Sequence, residues 1–323
     1  MRHLIARLGL IATALCLPFT AAAQADAPVP AMMKIVVPFG PGASNDAIAR
    51  AVAPVLARRL GNTVIVENKA GAAGTIGADY VAKGPRDGSV LLLTSSTFVT
   101  AAATQSKLPY DPLTAFAPVA MVGNGPMLVA VSAASPIKSA ADLVAAARSR
   151  PGKITYGTSG VGSIAHLASE MISDAAKVQM LHVPYKGAAP ALMDMAGGQI
   201  DMMVSNYSSL APQIKGGKVR AIGVTSAQAS PAFADLPPMA SVAPGFAANI
   251  WVSILAPAGT PAALVARLNR EIVEIANTPE VRALLEPDGA APTPYAPAEV
   301  AQRIKDDLAA WKQIATDKKI VAE

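Results

Sequence analysis

The stretch IVVPFGPGASNDAIAR, residues 35–50, decides the reading of the fold. A short apolar run stops at Pro38, passes through a glycine loop and opens directly onto an amphipathic helix. The first-turn N–H groups of such a helix point outward with about half a positive charge behind them. A carboxylate or phosphate can therefore be seated there without any Lys or Arg. A second junction of the same kind, GTSGVGS, occupies residues 157–163. Glycines serve tight turns equally well, so neither loop alone decides between a turn and a seat. Two of them, one in each half of the chain, favour a cleft that grips an anion from both sides.

Outward from the first junction, β-type runs alternate with helical ones, which implies α/β layering with largely parallel sheets. Strands are expected over 35–37, 63–66, 90–94, 128–132, 154–156, 178–183, 200–204, 219–225 and 251–256. Most are continuous apolar runs, as strands covered on both faces are. A helix over 44–60 places Ile48, Val52, Val55 and Leu60 along one side, with Ser44 as its cap, Asp46 in its first turn and a bend at Pro54. Thr260-Pro261 and Pro297 open two further helices. Extended runs over 117–132 and 219–226 suit crossovers between two lobes. Residues 26–125 and 226–323 would then form one lobe and 126–225 the other, with a ligand in the cleft between them.

Residues 1–25 read as a cleavable secretory signal: Arg2 and Arg7 precede an apolar core, and Ala23-Gln24-Ala25 offers a small-residue cleavage site. The apolar core is shorter than the roughly 20 residues of a spanning helix. Cys16 is the single cysteine and leaves with the leader, so a core without disulfides must hold a chain of periplasmic type. Losing two Arg from 27 basic residues leaves 25 against 22 acidic, a balance of +3. That charge is spread along the chain, aromatics are 4% of residues, and no basic stripe of the kind nucleic acid needs is present.

Strict chemistries fail on residue type. His166 and His182 are the histidines beyond the leader, no cysteine accompanies them, and no metal-ligand spacing exists. His166, just inside the helix after the second loop, could face the cleft. That loop lacks the nucleophile-elbow spacing around Ser159 and the Lys of a phosphate loop after Gly162. It matches a dinucleotide pattern ending in alanine, but no acidic residue closes the next strand. No metal or organic cofactor is expected.

A third loop, ENKAGAAGTIG over 67–77, again runs from strand to helix. With VVPFGPGASNDAIAR, YGTSGVGSIAHLASEM, HVPYKGAAPALMDMAGGQID, KVRAIGVTSAQASPAFADLPP and LAPAGTPAALVARLN, it makes the chain resemble the Bug-type substrate-binding proteins of the tripartite tricarboxylate transporter family over nearly all its length. The resemblance implies an α/β, two-lobed periplasmic-binding fold of type II-like form. It also implies a cleft for a small carboxylate (a dicarboxylate, tricarboxylate or aromatic acid), delivery to a membrane permease, and no catalysis. It places Phe39, Gly42 and Ala43 beside the ligand carboxylate with Asp46 steadying their loop, Gly71, Ala72 and Ala73 as a backbone wall, and Ser95 and Ser96 at the same mouth. From the second lobe it brings Thr158, Ser159, Gly160, Ser163, His166, Tyr185 and Gly187, with Ser205 and Asn206 as the floor. A monomer is expected. Ala43 and Ala73 stand where relatives carry glycine, and Ser205 where many carry Asp, which favours a fully anionic or neutral-ended acid over an amino acid. Presentation to a sensor kinase and a periplasmic enzyme acting on a carboxylic acid are the alternative readings.

Overall fold

In the first strand, β1 (Met32–Val37), Met33, Ile35 and Val37 point to one face and Val36 to the other, and all four are fully buried. A strand buried on both faces must lie inside a sheet layered between helices. The computed structural model describes residues 27–322, so the expected leader lies outside the described residues. After β1 come α1 (Ser44–Leu60), β2 (Thr63–Asn68), α2 (Thr75–Ala82), β3 (Val90–Ser95), α3 (Thr97–Thr104) and β4 (Phe116–Pro126). The chain then continues through β5 (Leu128–Ser132), α4 (Ala140–Ser149), β6 (Thr155–Thr158), α5 (Ile164–Ala175), β7 (Leu181–Pro184), α6 (Ala188–Ala196), β8 (Met202–Ser205), α7 (Tyr207–Lys215) and β9 (Val219–Val224). It ends with β10 (Asn249–Pro257), α8 (Ala262–Ala276), α9 (Pro279–Leu285) and α10 (Pro297–Asp317).

Two five-stranded sheets result, ordered β2-β1-β3-β10-β4 and β7-β6-β8-β5-β9. In each, four strands run one way and one opposes them: β10 is antiparallel to β3 and β4, and β5 to β8 and β9. The expected predominance of one strand direction holds, while half of the pairings are antiparallel. The first sheet carries α1 and α8 against one face, where Ile48, Leu56, Leu268 and Ile272 are buried, and α2, α3 and α10 against the other. Each such side chain contributes on the order of 2 kcal/mol relative to exposure. Trp311 of α10 shares its apolar cluster with Phe98 of the first sheet's layer and with Tyr156 and Leu167 of the second, so the core runs on from one sheet to the other along α10.

The chain leaves the first sheet between Pro126 and Leu128, with Met127 donating to Thr225 Oγ1 at 2.8 Å, so the outgoing and returning crossovers touch. Pro237 accepts the N–H of Val224, Pro238 bridges to Val224, and Phe233 and Leu236 pack on the apolar cluster of the second sheet. Residues 233–239 thus lie along β9 of the second sheet. Gly223 eases this approach: a Cβ there would stand 3.1 Å from Pro237 O and 2.7 Å from the flexible end of Met239, so either would have to give way.

Two cap assignments also move. Ala43, not Ser44, is the N-cap of α1, and α1 continues through Pro54. Pro261 is the N-cap of α8, with Thr260 Oγ1 donating to Pro257 O at 2.8 Å instead.

Candidate functional site

The expected ligand residues fall at the carboxyl ends of strands in both sheets, because each strand passes through a short loop into the helix that covers it. Loop 38–43 follows β1, loop 69–74 follows β2, and Ser96 follows β3. Loop 159–163 follows β6, Tyr185 follows β7 and Asn206 follows β8.

The first loop is held by charge. Asp46, 3% exposed, accepts from Gly42 N–H at 2.9 Å and Arg50 Nε at 3.0 Å on one oxygen and from Asn68 Nδ2 at 2.9 Å on the other. Asn68 Nδ2 also donates to Phe39 O at 3.1 Å. The Arg50 guanidinium, then the Gly42 amide, hold the Asp46 carboxyl at about 2. The amide of Gly42, expected beside a ligand, is therefore spent on the protein's own carboxylate, whereas Phe39 is half-buried and Gly42 and Ser44 are exposed.

The wall at 71–74 is strained. Ala72 and Ala73 sit at φ +47° and +53° between Gly71 and Gly74, and a left-handed alanine costs about 1 kcal/mol. Gly71, Ala72 and Ala73 are all exposed. Ser95 and Ser96 are not: Ser96 is fully buried, its Oγ accepting Trp251 N–H at 2.8 Å and its N–H donating to Trp251 O, so it extends the β3–β10 ladder. Ser95 is 5% exposed, with Oγ 3.3 Å from Thr97 Oγ1.

The second-sheet loop is held without charge. Gly160 N–H donates to Thr158 Oγ1 at 3.2 Å, and Thr158 Oγ1 lies 2.7 Å from His182 Nε2. Gly162 N–H donates to His166 Nδ1 at 3.2 Å, and Ser163 Oγ caps α5 by accepting His166 N–H at 3.3 Å. The two imidazoles stack with centroids 3.7 Å apart, and Tyr156 stacks on His182 at 5.1 Å. Burial drives both imidazoles down to about 4, so they are neutral, and burial also raises the Tyr156 hydroxyl, which bonds Glu170. Thr158 and His166 are thus interior supports of the loop and not parts of its surface: Thr158 is fully buried and His166 is 6% exposed. Ser159 and Val161 form its exposed tip. Half-buried Tyr185 donates to Asp194 Oδ2 at 2.7 Å; burial and that carboxylate push its hydroxyl up to about 12.

What sequence could not show is how these loops meet. Pro38 packs on Gly77, where a Cβ would stand 2.8 Å from Pro38 Cβ, joining the first and second loops. Gln105, just past α3, donates to Ala72 O at 3.2 Å and lies 3.0 Å from Thr75 Oγ1. Its neighbour Thr104 meets the other sheet's loop, since a Cβ on Gly162 would stand 2.7 Å from Thr104 Oγ1. Glycine loops of both sheets are thereby brought to one locus around residues 104–105. On the other flank, Ser44 and Asn45 at the head of α1 share a cavity of about 60 Å³ with Asn206 and Asp288. Ser205 is 9% exposed and pairs with Leu128, and Asn206 Nδ2 lies 3.5 Å from Asp288 Oδ2. A hollow of about 760 Å³ between α3, α10 and residues 105–113 contains none of the expected residues. Among the described residues no group of three or more His, Cys, Asp or Glu could hold a metal ion, and no helix is long and apolar enough to cross a membrane.

Residues 48–320 match the family model described as the tripartite tricarboxylate transporter family receptor. Protein BugT of Bordetella pertussis is 33% identical over 98% of this chain and 98% of its own. Among solved structures, Rhodopseudomonas palustris Rpa4515 with adipate superposes with a TM-score of 0.77 at 32% identity, covering 90% of this chain and 98% of that one. MatC of the same organism, with bound malate, gives 0.73 at 30% identity over 88% and 98%.

Proposed function

Because this chain belongs to the tripartite tricarboxylate transporter receptor family, we propose that it is a periplasmic solute-binding protein that captures a small dicarboxylate between its two lobes and delivers it to the membrane permease of such a transporter. The observation that carries this reading is the convergence of glycine loops from both sheets around Thr104 and Gln105. Adipate and malate, bound by two relatives, are linear acids of matching chemistry. The lobes are residues 26–125 and 226–323 against 126–225, with 233–239 lying along β9 of the second. The exposed and half-buried groups that would meet the ligand are Phe39, Gly42, Ala43 and Ser44 on one side with Gly71, Ala72 and Ala73, and Ser159, Gly160 and Tyr185 on the other.

Micromolar binding requires about 8 kcal/mol, and a helix N-terminus supplies roughly 0.3 to 2 kcal/mol. Hydrogen bonds and closure over the aliphatic body must provide the rest. Ser205 stands in the place of an acid, and the carboxylate beside that turn, Asp288, is already engaged by Ser208, which favours plain diacids over amino acids. The protein acts without chemistry on its ligand: His166 is buried and His182 half-buried, both are neutral, and they are occupied by the Gly162 amide, the Thr158 hydroxyl and each other. It works as a monomer, exported by cleavage of its leader.

A thermal-shift screen of the mature chain against C4 to C8 dicarboxylates, citrate and benzoate tests this. A diacid should raise the melting temperature and be recovered intact after long incubation; turnover of the bound acid would move the assignment to an enzyme.

A further inference from the structure

We propose that Asp288 is an interlobe clasp: a carboxylate carried by the first sheet's body that grips the head of α7 in the second and thereby sets how long a bound ligand is retained. This inference rests on the two-lobe binding reading above. Asp288 ends a 3₁₀ turn, 286–288, directly after α9. Its backbone belongs to the first sheet, since Ala291 bridges to Asn124 of β4 with N–H···O bonds of 3.0 Å both ways. Its partners belong to the second. Ser208 N–H donates to Asp288 Oδ1 at 2.6 Å, Ser208 Oγ lies 3.0 Å from Oδ2, and Asn206 Nδ2 is a longer contact at 3.5 Å.

Several features fit a built contact. The carboxylate is 8% exposed, and a buried charge persists where donors answer it. It sits where the α7 dipole is positive, and Gly289, at φ +67°, turns the chain there so closely that a Cβ would meet Phe233 Cε2 at 2.6 Å. Phe233 in turn packs on Tyr207, the first residue of α7. The crossover strands lie next to this clasp: Leu128 pairs with Ser205, and a Cβ on Gly125 would stand 2.5 Å from Ala290 Cα. Any opening that carries the head of α7 away from turn 286–288 must break the clasp, because hydrogen bonds of 2.6 and 3.0 Å weaken within a few tenths of an ångström. It also explains why Asn206, expected to face a ligand, faces a carboxylate of its own chain.

The test uses the full mature chain, wild type and Asp288→Asn, with stopped-flow release of adipate or malate and small-angle scattering of the ligand-free protein. Asp288→Asn keeps the shape and removes the charge. It should speed release about tenfold, the low end for a charged hydrogen bond, and enlarge the ligand-free radius of gyration. Ser208→Ala should speed release a few-fold, and Asp288→Glu should restore part of the slow release. Unchanged release and unchanged scattering in Asp288→Asn would overturn the clasp, even if its melting temperature falls, since a purely structural role moves stability alone. If the wild type binds no acid, the binding reading fails by itself, and the scattering comparison still decides for or against the clasp.

Discussion

The junctions at the heads of α1 and α5 share a glycine-rich strand-to-helix sequence, yet they are held by opposite physics. Loop 38–43 is organised by an anion, Asp46, with Arg50, Asn68 and a backbone amide around it. Loop 159–163 rests on uncharged groups: two stacked imidazoles, a threonine hydroxyl and a serine cap. A shared motif therefore fixes where the backbone turns, while the residues that make the turn rigid come from elsewhere in the chain. In both loops several amides that look available in sequence are taken internally, which on the proposed reading leaves the exposed tips to meet a ligand.

The largest effect expected is at the exposed tip of the uncharged loop. Ser159→Asp places a negative charge within reach of the bound acid. At about 5 Å and an effective dielectric near 20 the repulsion is about 3 kcal/mol, so affinity should drop at least 100-fold with the circular dichroism spectrum unchanged. Asp46→Asn addresses the charged loop. Losing charge-assisted bonds to Arg50 and Gly42 should cost about 2 kcal/mol in urea unfolding and weaken binding about tenfold, and a loss confined to stability would show that this loop takes no part in the site.

The comparison sharpens with pH. A base whose folded pKa is depressed stabilises the fold above its unfolded value and loses that contribution as pH falls. For His166 and His182, at about 4 against 6.5, the loss runs from about pH 6.5 to 4, with a slope on the order of 1.4 kcal/mol per pH unit per histidine. Asp46, at about 2 against 3.8, loses its contribution only from about pH 4 downward. Mild acid should thus loosen the α5 junction first. Melting temperature should fall between pH 7 and 5, and His182→Gln should flatten that fall; a slope unaffected by the substitution counts against the stacked pair. The smallest effect is at the strained wall: Ala73→Gly should relieve the left-handed alanine, adding about 1 kcal/mol and roughly 2 °C to the melting temperature.

The sheets were legible because strands such as β1 and β3 are short, unbroken apolar runs, and the loops because glycine and proline punctuate strand ends. What sequence concealed was distance. Asn68 reaches Asp46 only once β1 and β2 pair, with Val37 opposite Asn68. His182 meets His166 only because β7 lies parallel to β6, with Tyr156 opposite His182. Ser96 reads as a polar strand end and is consumed by β10, more than 150 residues on. The approach of residues 233–239 to β9 is eased by one missing side chain, at Gly223, and the partner of Asn206 lies on a 3₁₀ turn, 286–288, that carries no periodic pattern.

On this reading, opposed loops of the two lobes seat a small dicarboxylate. Titration calorimetry of the mature wild type and Ser159→Asp with adipate and malate tests it most directly. The expected result is one saturable site of micromolar or tighter affinity for at least one of these acids in the wild type and affinity at least 100-fold weaker in the variant. Binding of equal strength in both, or heat from neither acid at millimolar concentration, would contradict it.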